Sequence, residues 1–422
     1  MWTKIVGTSS STFSGCEYVS QMGTTLRPVD RQTGVSSVGD SDFSIRVNEL
    51  SKTFRRKGGE LVPAVDRVSL DIKRGEMIVL LGPSGCGKTS LLRCVGGLEE
   101  PDAGEITLSG RRVVGKGIKS APPESRDIGM MFQSYALWPH MTVAKNVSYP
   151  LEARRMRRGE IDERVGRMLE LAGIPHLAAQ YPGNLSGGQQ QRVALVRSLV
   201  AEPDIILFDE PLSNVDAKVR TQLRAEIRSM QQRLGFAGIY VTHDQEEALQ
   251  LADRIAVMRT GRIVEIGEPD QLYNSPRSRY VAQFLGDLNH VQVNGFQSHG
   301  GYTSASHADL GQIYVAASGS DSPSTARAGT LGFRPERVRL SGDADLIQPV
   351  NQWEGTVERI TFSGAWREYE VRVGADTVFK AKVLEGSQGP KPEVGAKVRA
   401  WVDPEDVRIL DDDMATDQAV RR

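Results

Sequence analysis

A glycine-rich segment of the sequence has the composition and spacing of a loop that binds phosphate. It reads Gly82-Pro83-Ser84-Gly85-Cys86-Gly87-Lys88-Thr89, which fits the pattern G-x-x-x-x-G-K-[ST]. Glycines let successive backbone N–H groups converge on phosphate oxygens, and the helix expected from Lys88 adds its positive end. We expect Lys88 to reach the β- and γ-phosphates and the Thr89 hydroxyl to bind Mg²⁺. The segment predicts a nucleoside triphosphate site.

A pair of acidic residues follows a buried-strand pattern farther along the chain. Asp209 and Glu210 come directly after Ile205-Ile206-Leu207-Phe208. Asp209 is placed to hold the Mg²⁺ shell, and Glu210 to polarise the attacking water. Two acids that merely end a strand in solvent are the alternative, and the four apolar residues before them argue against it. The pair predicts hydrolysis of the nucleotide.

A second anion-binding pattern occurs at Leu185-Ser186-Gly187-Gly188-Gln189, before an apolar-periodic helix that begins near Gln190. Small residues and a serine hydroxyl at a helix N-terminus suit phosphate. One nucleotide does not need two such loops from the same chain, so we expect this one to serve a nucleotide held by another chain. An ordinary helix cap by Ser186 is the alternative, and the segment alone does not separate the two.

Three single residues carry weaker signals. His243 follows an apolar strand and could donate to the γ-phosphate, and Gln133 follows another and could bind the water or Mg²⁺. Phe54 could stack on an adenine ring. Taken alone, a histidine or glutamine in such a place is more often structural and a phenylalanine usually belongs to the core, so the three gain significance only in combination with the loops.

The elements that must position these residues alternate between strands and helices. Expected strands are 45–50, 68–72, 77–81, 104–114, 205–208 and 238–242, and expected helical segments are 88–95, 142–171, 216–234 and 245–252. This alternation predicts an α/β domain with a largely parallel core sheet over residues 43–286. Residues 287–410 are strand-rich and punctuated by Gly, Ser and Pro, which predicts a smaller, barrel-like β domain.

The β-rich part contains an internal similarity. Residues 331–340 align with residues 400–409, with Pro, Glu, Val and Arg at equal spacing, which indicates two copies of a small β unit. Residues 1–42 are rich in Ser, Thr and Gly and are expected to be a disordered tail, with Met22 as an alternative start. Residues 411–422 are expected to be a loose tail.

Bulk composition is that of an ordinary globular protein. The chain has 422 residues, 39% hydrophobic residues and a formal net charge of -1, which gives no electrostatic reason to expect nucleic acid. No run is long and apolar enough to span a bilayer, and the N-terminus lacks the pattern of a secretory signal. The three cysteines, Cys16, Cys86 and Cys94, have neither metal spacing nor disulfide density. Cys86, beside Lys88 at a helix N-terminus, is expected to have a lowered thiol pKa and to react with alkylating reagents unless ATP protects it.

Taken together and in order, these motifs resemble the nucleotide-binding subunit of ABC transporters. Residues 82–89 resemble Walker A, Gln133 the Q-loop, 185–189 the LSGGQ signature, 205–210 Walker B, 212–216 the D-loop, His243 the switch histidine and Phe54 the adenine-stacking aromatic. The resemblance implies that ATP is bound by Phe54, Gly82, Pro83, Ser84, Gly85, Cys86, Gly87, Lys88, Thr89, Ser90, Gln133, Asp209, Ser186, Gly187, Gly188 and Gln189. It implies that Glu210, His243, Gln133 and Lys88 are catalytic, and that Thr89, Gln133 and Asp209 bind Mg²⁺.

The C-terminal part resembles the TOBE or OB-type extension of importer ATPases, through Phe333-Arg334-Pro335-Glu336-Arg337-Val338. The fold class implied is an α/β P-loop NTPase domain of the ABC type, with a helical subdomain at about 134–185, followed by a smaller all-β OB/TOBE-like domain. Residues 134–142 resemble the iron(III) and polyamine branch. Iron(III), polyamine, sugar and phosphonate remain open as the transported solute.

The family resemblance implies a homodimer that sandwiches two ATP molecules and energises solute import. Permease subunits would dock at the helical subdomain on the cytoplasmic face of the inner membrane, near Tyr135, Trp138 and His140, and an extracytoplasmic solute-binding protein would act indirectly. A soluble ABC ATPase acting on nucleic acid or ribosomes is an alternative. It is disfavoured because one nucleotide domain is present and the span from Thr89 to Leu185 has no long heptad insert. A solute-sensing regulator that works through the C-terminal domain is a further alternative.

Overall fold

The computed structural model describes residues 42–411, apart from positions 57, 214, 300, 317–327, 342–349, 388 and 390. The strands of the first part are β1 (Phe43–Arg55), β2 (Leu61–Lys73), β3 (Met77–Leu81), β4 (Ala103–Leu108), β5 (Arg111–Val114), β6 (Gly129–Met131), β7 (Ile205–Asp209), β8 (Ala237–Thr242), β9 (Arg254–Arg259) and β10 (Arg262–Gly267). The helices are α1 (Lys88–Gly96), α2 (Val143–Ala153), α3 (Arg158–Leu171), α4 (Gly187–Leu199), α5 (Ala217–Leu234), α6 (Gln245–Leu251), α7 (Pro269–Asn274) and α8 (Arg279–Phe284).

A six-stranded sheet in the order β10-β9-β3-β8-β7-β6 carries the predicted chemistry. All its neighbouring strands are parallel except β9 and β10. Successive residues of β3 belong to different cores, since Met77, Val79 and Leu81 pack with the helices α2 to α8. Ile78 and Leu80 pack instead with α1 and a four-stranded antiparallel sheet, β2-β1-β4-β5. A strand buried on both faces has no polar alternation, which explains its continuous apolar sequence. The predicted α/β domain with a largely parallel core is confirmed.

The C-terminal part consists of antiparallel strands. They are β11 (Asn289–His299), β12 (Tyr302–His307), β13 (Gly311–Ala316), β14 (Ala328–Phe333), β15 (Arg339–Ser341), β16 (Asn351–Ser363), β17 (Trp366–Arg372), β18 (Val378–Leu384), β19 (Lys397–Val402) and β20 (Arg408–Leu410). They form two five-stranded sheets, β13-β12-β11-β14-β20 and β15-β19-β16-β17-β18, which share one hydrophobic core. The prediction of a smaller all-β domain is confirmed.

The internal similarity corresponds to a structural repeat that joins the two sheets. Each copy is a strand, a one-turn 3-10 helix that begins at Pro335 or Pro404, and a second strand. The first copy contributes β14 and β15 and the second β19 and β20, and β14 pairs with β20 while β15 pairs with β19. Equivalent positions of the two copies also meet, since Arg337 Nε lies 3.6 Å from Asp406 Oδ1. Each copy therefore crosses from one sheet to the other, and the two copies hold the sheets together.

Of the predicted tails, residues 1–41 and 412–422 lie outside the described residues. Asp411, which the sequence assigns to the loose C-terminal tail, instead forms a parallel bridge with Ser278. Its backbone N–H donates to the carbonyl of Arg277 at 2.9 Å, and its carbonyl accepts from the Arg279 N–H at 3.2 Å. The assignment of Asp411 to the tail was therefore wrong, because these backbone groups pair with the segment that opens α8.

A buried arginine joins the helices that end the first part to the β-rich part. The Arg334 side chain donates to the carbonyls of Tyr273, Ala282, Gly286 and Asp287, at 2.8 to 3.3 Å. Its guanidinium also lies 4.2 Å from the centroid of the Tyr273 ring. Five donors in a rigid planar fork suit this arrangement, and no other side chain offers them.

Replacing Arg334 by methionine is expected to lower the free energy of unfolding by about 3 kcal/mol, because buried carbonyls lose their donor. The measurement is the urea midpoint of the full chain. Arg359→Met is the matched control, since Arg359 is exposed and pairs with Glu370 on the surface, and its midpoint should not move. Equal midpoints for the two variants would contradict the structural role assigned to Arg334.

Candidate nucleotide-binding site

The carboxyl ends of four parallel strands bring the predicted site residues to one edge of the central sheet. The phosphate loop follows β3, Gln133 follows β6, Asp209 ends β7 and His243 follows β8. These four strands run in the same direction, so residues that directly follow them share that edge. Ligands of open α/β sheets bind outside this edge.

The phosphate loop has a backbone that only glycine adopts at Gly87. The φ of Gly87 is 107°, and a β-carbon there would lie 1.9 Å from the carbonyl oxygen of Ala64. The Gly261 N–H donates to the Cys86 carbonyl at 2.9 Å, so a second loop supports this turn from outside. Helix α1 begins at the next residue, Lys88. The segment therefore joins a left-handed glycine turn directly to a helix N-terminus, the combination that phosphate-binding loops use.

Lys88, Thr89 and Asp209 form the polar centre of this edge. The buried Lys88 ammonium donates to the carbonyls of Gly82 and Pro83 at 2.7 and 3.0 Å, which holds it within the loop. The Thr89 hydroxyl donates to Asp209 Oδ1 at 3.1 Å. A hydroxyl and a carboxylate are hard oxygen donors, and Mg²⁺ commonly takes few protein ligands and completes its shell with water and phosphate oxygens. The donor set fits Mg²⁺.

Burial raises the pKa of Asp209 above its ordinary value, while the hydrogen bond from Thr89 and the charges of Arg93 and Lys88 lower it. A buried carboxylate is costly in its charged form unless a cation or donors compensate. A bound cation at this position would stabilise the charged form of the Asp209 carboxyl, which agrees with the oxygen donor set.

Glu210 directly follows β7 and has a strained backbone conformation. Its φ is 45°, a left-handed backbone conformation that is unfavourable for a residue other than glycine. Two bonds keep the backbone there: its N–H donates to the Val241 carbonyl at 3.1 Å, and its carbonyl accepts from the Ser213 hydroxyl at 3.0 Å. The carboxylate Oε1 lies 3.5 Å from Nδ1 of His243. Glu210 and His243 therefore face each other across the ends of β7 and β8.

The signature segment lies at the start of α4. Ser186 caps the helix by accepting from the Gln189 N–H at 3.4 Å, and the Gln189 side chain accepts from the Ser186 N–H at 3.0 Å. Ser186 and Gly187 are exposed. A β-carbon on Gly188 would lie 2.8 Å from Cγ1 of Val219, so α4 begins close against the first turn of α5. The serine forms the helix cap considered in the sequence analysis, and the same exposed helix start remains accessible to another molecule.

Two predictions about individual residues were wrong. Cys86 is 4% exposed, and burial raises the pKa of its thiol although the charge of Lys88 lowers it, which is opposite to the lowered pKa that the sequence predicted. Tyr135, expected on a docking surface, is 7% exposed and belongs to the hydrophobic core of the helical region. Trp138 is half-buried and His140 is exposed.

Phe54 and Gln133 keep the exposure that their predicted roles require. The Phe54 side chain is 37% exposed, with Lys52 Nζ 5.3 Å from its ring centroid. Gln133 is exposed at the edge of the sheet. Asn214, in the middle of the segment that resembles the D-loop, lies outside the described residues.

Sequence reasoning missed the side chains that shape the segment after Gln133. Arg197 donates to the carbonyls of Tyr135 and Ala136 at 2.7 and 2.6 Å, and both of these residues have positive φ, 59° and 48°. Asn146 accepts from the Trp138 N–H at 2.9 Å and donates to the Trp138 carbonyl at 3.1 Å. Asn146 lies in α2 and Arg197 in α4, so both belong to helices outside the turn. No local pattern in the sequence therefore marks them as its supports.

The substitution Gly87→Ala is expected to weaken ATP binding at least about tenfold, because the β-carbon meets the Ala64 carbonyl and the left-handed backbone costs roughly 1–2 kcal/mol. Equilibrium binding of a fluorescent ATP analogue measures it. The control Gly166→Ala lies on α3 with open space around its β-carbon and should instead stabilise the chain by about 0.5–1 kcal/mol. Unchanged affinity in Gly87→Ala would contradict the assignment of this loop.

Comparison with known proteins agrees with this geometry. Residues 65–213 match the family model described as ABC transporter, and residues 331–410 match the one described as TOBE domain. The spermidine/putrescine import ATP-binding protein PotA of Thermobifida fusca is 40% identical over 372 residues, which cover 84% of this chain and 91% of that protein.

Two further relatives are similar over comparable lengths. The sulfate/thiosulfate import ATP-binding protein CysA 2 of Chromobacterium violaceum is 43% identical, over 82% of this chain and 87% of that protein. The trehalose/maltose import ATP-binding protein MalK of Thermococcus litoralis is 42% identical, over 81% of this chain and 93% of that protein. The phosphate loop, the paired acids and the TOBE sheets, together with this similarity over nearly whole chains, show that the protein belongs to the ATP-hydrolysing subunits that energise solute import by ABC transporters.

Proposed function

We propose that two copies of this chain bind two ATP molecules between them, and that closure and reopening of the pair drive a membrane permease. The observation that supports this most directly is the division of the site. Phosphate loop, acidic pair and His243 each follow or end a parallel strand of the central sheet, whereas the signature at Ser186 and Gly187 is an exposed helix start that follows none of these strands. A second copy supplies the missing anion-binding helix.

Within one such site, Lys88 and the loop N–H groups bind the phosphates, and Thr89, Asp209 and Gln133 hold Mg²⁺. When bound, Mg²⁺ neutralises charge on the β- and γ-phosphates. Glu210 accepts a proton from the water whose oxygen attacks the γ-phosphorus, and the bond to the β–γ bridging oxygen breaks to release ADP. Most of the rate enhancement comes from positioning and charge neutralisation.

Across the pair, Ser186 and the N–H groups that follow it contact the γ-phosphate held by the other copy, and Phe54 stacks on the adenine. Closure is then favoured by contacts that only the triphosphate provides, and hydrolysis removes them. ATP binding therefore favours the closed pair, and ATP hydrolysis lets the two copies separate.

The permease contact is proposed for the helical region at about 134–185, with Trp138 and His140 at its surface. Among the residues that the structure describes, no helix is long and apolar enough to cross a membrane. We place the pair on the cytoplasmic face of the inner membrane as a peripheral subunit, with an extracytoplasmic solute-binding protein delivering cargo to the permease.

The transported solute stays open. Relatives of nearly equal identity, 40 to 43%, are named for spermidine and putrescine, for sulfate and thiosulfate, and for trehalose and maltose. Identity to this chain thus does not distinguish one cargo from another, and iron(III), polyamine, sugar and phosphonate are all compatible with this chain.

The variant Glu210→Gln is expected to lose at least about 100-fold in ATP turnover, because the general base is gone. It should still bind ATP and accumulate as an ATP-dependent pair, since hydrolysis no longer removes the γ-phosphate. Phosphate release and size-exclusion chromatography with and without ATP measure the two effects. Glu163→Gln, on the exposed side of α3, is the matched control and should behave like the unmodified chain. Retained turnover in Glu210→Gln would remove Glu210 from this role.

Mixing two inactive variants tests the division of the site. Lys88→Ala lacks phosphate binding, and Ser186→Arg blocks the signature without touching the loop, so neither alone should hydrolyse ATP. A mixed pair contains one intact composite site, and about a quarter of the activity is expected from statistical pairing.

The control for this mixture is Lys88→Ala combined with a chain that carries both substitutions, since no intact site can form. Recovery of activity there, or none in the first mixture at concentrations where the chains pair, would contradict a site shared between copies.

A further inference from the structure

An arginine on the first turn of α5 joins the two loops that carry Glu210 and His243. Arg220 Nη2 donates to the carbonyl of Val215 at 3.0 Å, and Nη1 donates to Asp244 Oδ2 at 3.2 Å. Val215 lies five residues after Glu210, and Asp244 directly follows His243. One planar guanidinium therefore connects the segment after β7 with the segment after β8.

Hydrogen bonds to neighbouring residues of β8 and α6 fix the loop that carries His243. Asp244 caps α6 by accepting from the Glu247 N–H at 3.1 Å, and its own N–H donates to the Thr242 hydroxyl at 3.0 Å. Glu247 is buried and accepts from the hydroxyls of Tyr240 and Thr242 at 3.0 and 2.7 Å. Its Oε1 also lies 3.9 Å from Arg220 Nε, so the guanidinium faces two carboxylates of this loop.

The loop on the Glu210 side folds back on the strained residue. The Ser213 hydroxyl donates to the Glu210 carbonyl at 3.0 Å, and the Val215 N–H donates to the Leu212 carbonyl at 3.3 Å. Leu212 and Val215 are buried, which fixes this segment against the core.

These contacts, together with short stretches of chain, close a ring. From Glu210 the chain leads to Leu212, whose carbonyl accepts from the Val215 N–H, and the Val215 carbonyl accepts from Arg220. Arg220 donates to Asp244, which directly follows His243, and His243 Nδ1 lies 3.5 Å from Glu210 Oε1. Arg220 is the only member of this ring that bridges the two loops through a side chain from another element. A fork with two fixed donors sets the distance between its acceptors, which a single ammonium cannot do.

We infer that Arg220 is a positioning residue that sets the separation of Glu210 and His243 by tying the Val215 carbonyl to Asp244. The inference rests on the proposed function, in which Glu210 and His243 act on one γ-phosphate. Since misplacement of a reacting group by about 1 Å can cost about 100-fold in rate, loss of this bridge acts on turnover rather than on ATP binding.

The test compares Arg220→Met and Arg220→Lys with the unmodified full chain. Both variants are expected to lose about 10- to 100-fold in kcat, because neither side chain holds both acceptors. The dissociation constant for ATP, measured with a fluorescent analogue, should change less than about twofold, because the phosphate loop is untouched.

Arg228→Met is the matched control for fold stability. Arg228 lies on the same helix, is equally half-buried and pairs with Asp253, with Nη1 3.1 Å from Oδ2, at a carboxylate away from the two loops. It should keep its kcat even where its thermal midpoint falls. An equal loss of kcat in Arg228→Met would show that any broken ion pair on α5 has the effect, and would overturn the inference.

A double-variant cycle separates positioning from a general structural role. If Arg220 acts through His243, then adding Arg220→Met to His243→Ala lowers the residual kcat much less than it does in the unmodified chain. The full loss in both backgrounds, or an unchanged kcat in Arg220→Met, overturns the inference. Where His243→Ala leaves no turnover to measure, the division between kcat and ATP affinity decides the question.

The Glu210→Gln chain distinguishes this inference from the function on which it rests. Failure of that chain to pair in the presence of ATP contradicts the proposed dimer, whatever Arg220 does. If the Glu210→Gln chain pairs and Arg220→Met has normal turnover, only the role of Arg220 is contradicted and the proposed dimer stands.

Discussion

The shared direction of β3, β6, β7 and β8 is the constraint on which the rest of the structure depends. Parallel strands place their carboxyl ends at one edge, so the phosphate loop, Gln133, the acidic pair and His243 meet there although they come from distant parts of the chain. Both faces of this sheet must be covered, and α1 with the antiparallel sheet on one side and α2 to α8 on the other do so. The carboxyl edge of the sheet is therefore the part that a nucleotide can reach.

One strained residue and one buried carboxyl lie at this edge. Glu210 has a φ of 45°, and burial raises the pKa of Asp209. Such features persist only where neighbouring groups enforce them. The Thr89 hydroxyl donates to Asp209, and a ring that Arg220 completes holds the segment after Glu210. In the function proposed here, an anion-binding helix from a second copy completes this site, and the two copies open and close around the nucleotide.

The β-rich part is joined to the ATPase part by the same kind of interaction, a buried arginine that satisfies backbone carbonyls. Arg334 belongs to the first copy of the internal repeat, whereas Asp403, at the equivalent position of the second copy, pairs instead with Arg339 at 3.3 Å. The first copy thus contacts the ATPase part through Arg334, whereas the second copy contacts the first through Asp403 and the ATPase part through Arg408, whose Nε donates to the Asn274 carbonyl at 3.0 Å. The TOBE sheets hold together through this exchange of strands, so displacement of either copy affects both sheets.

The sequence by itself determined the fold class, the motifs and their order, because glycine spacing, apolar runs and acidic pairs are local properties that act over a few residues. It also predicted the repeat, whose meaning as an exchange of strands between two sheets only the tertiary structure revealed. Burial was decided by tertiary packing: Tyr135 lies in the hydrophobic core, and Cys86 is buried with a raised thiol pKa, although both residues lie within or beside functional motifs. The supports from Arg197, Arg220 and Arg334 were equally invisible, because a guanidinium finds its carbonyls across the fold, and no spacing along the chain records which ones it meets.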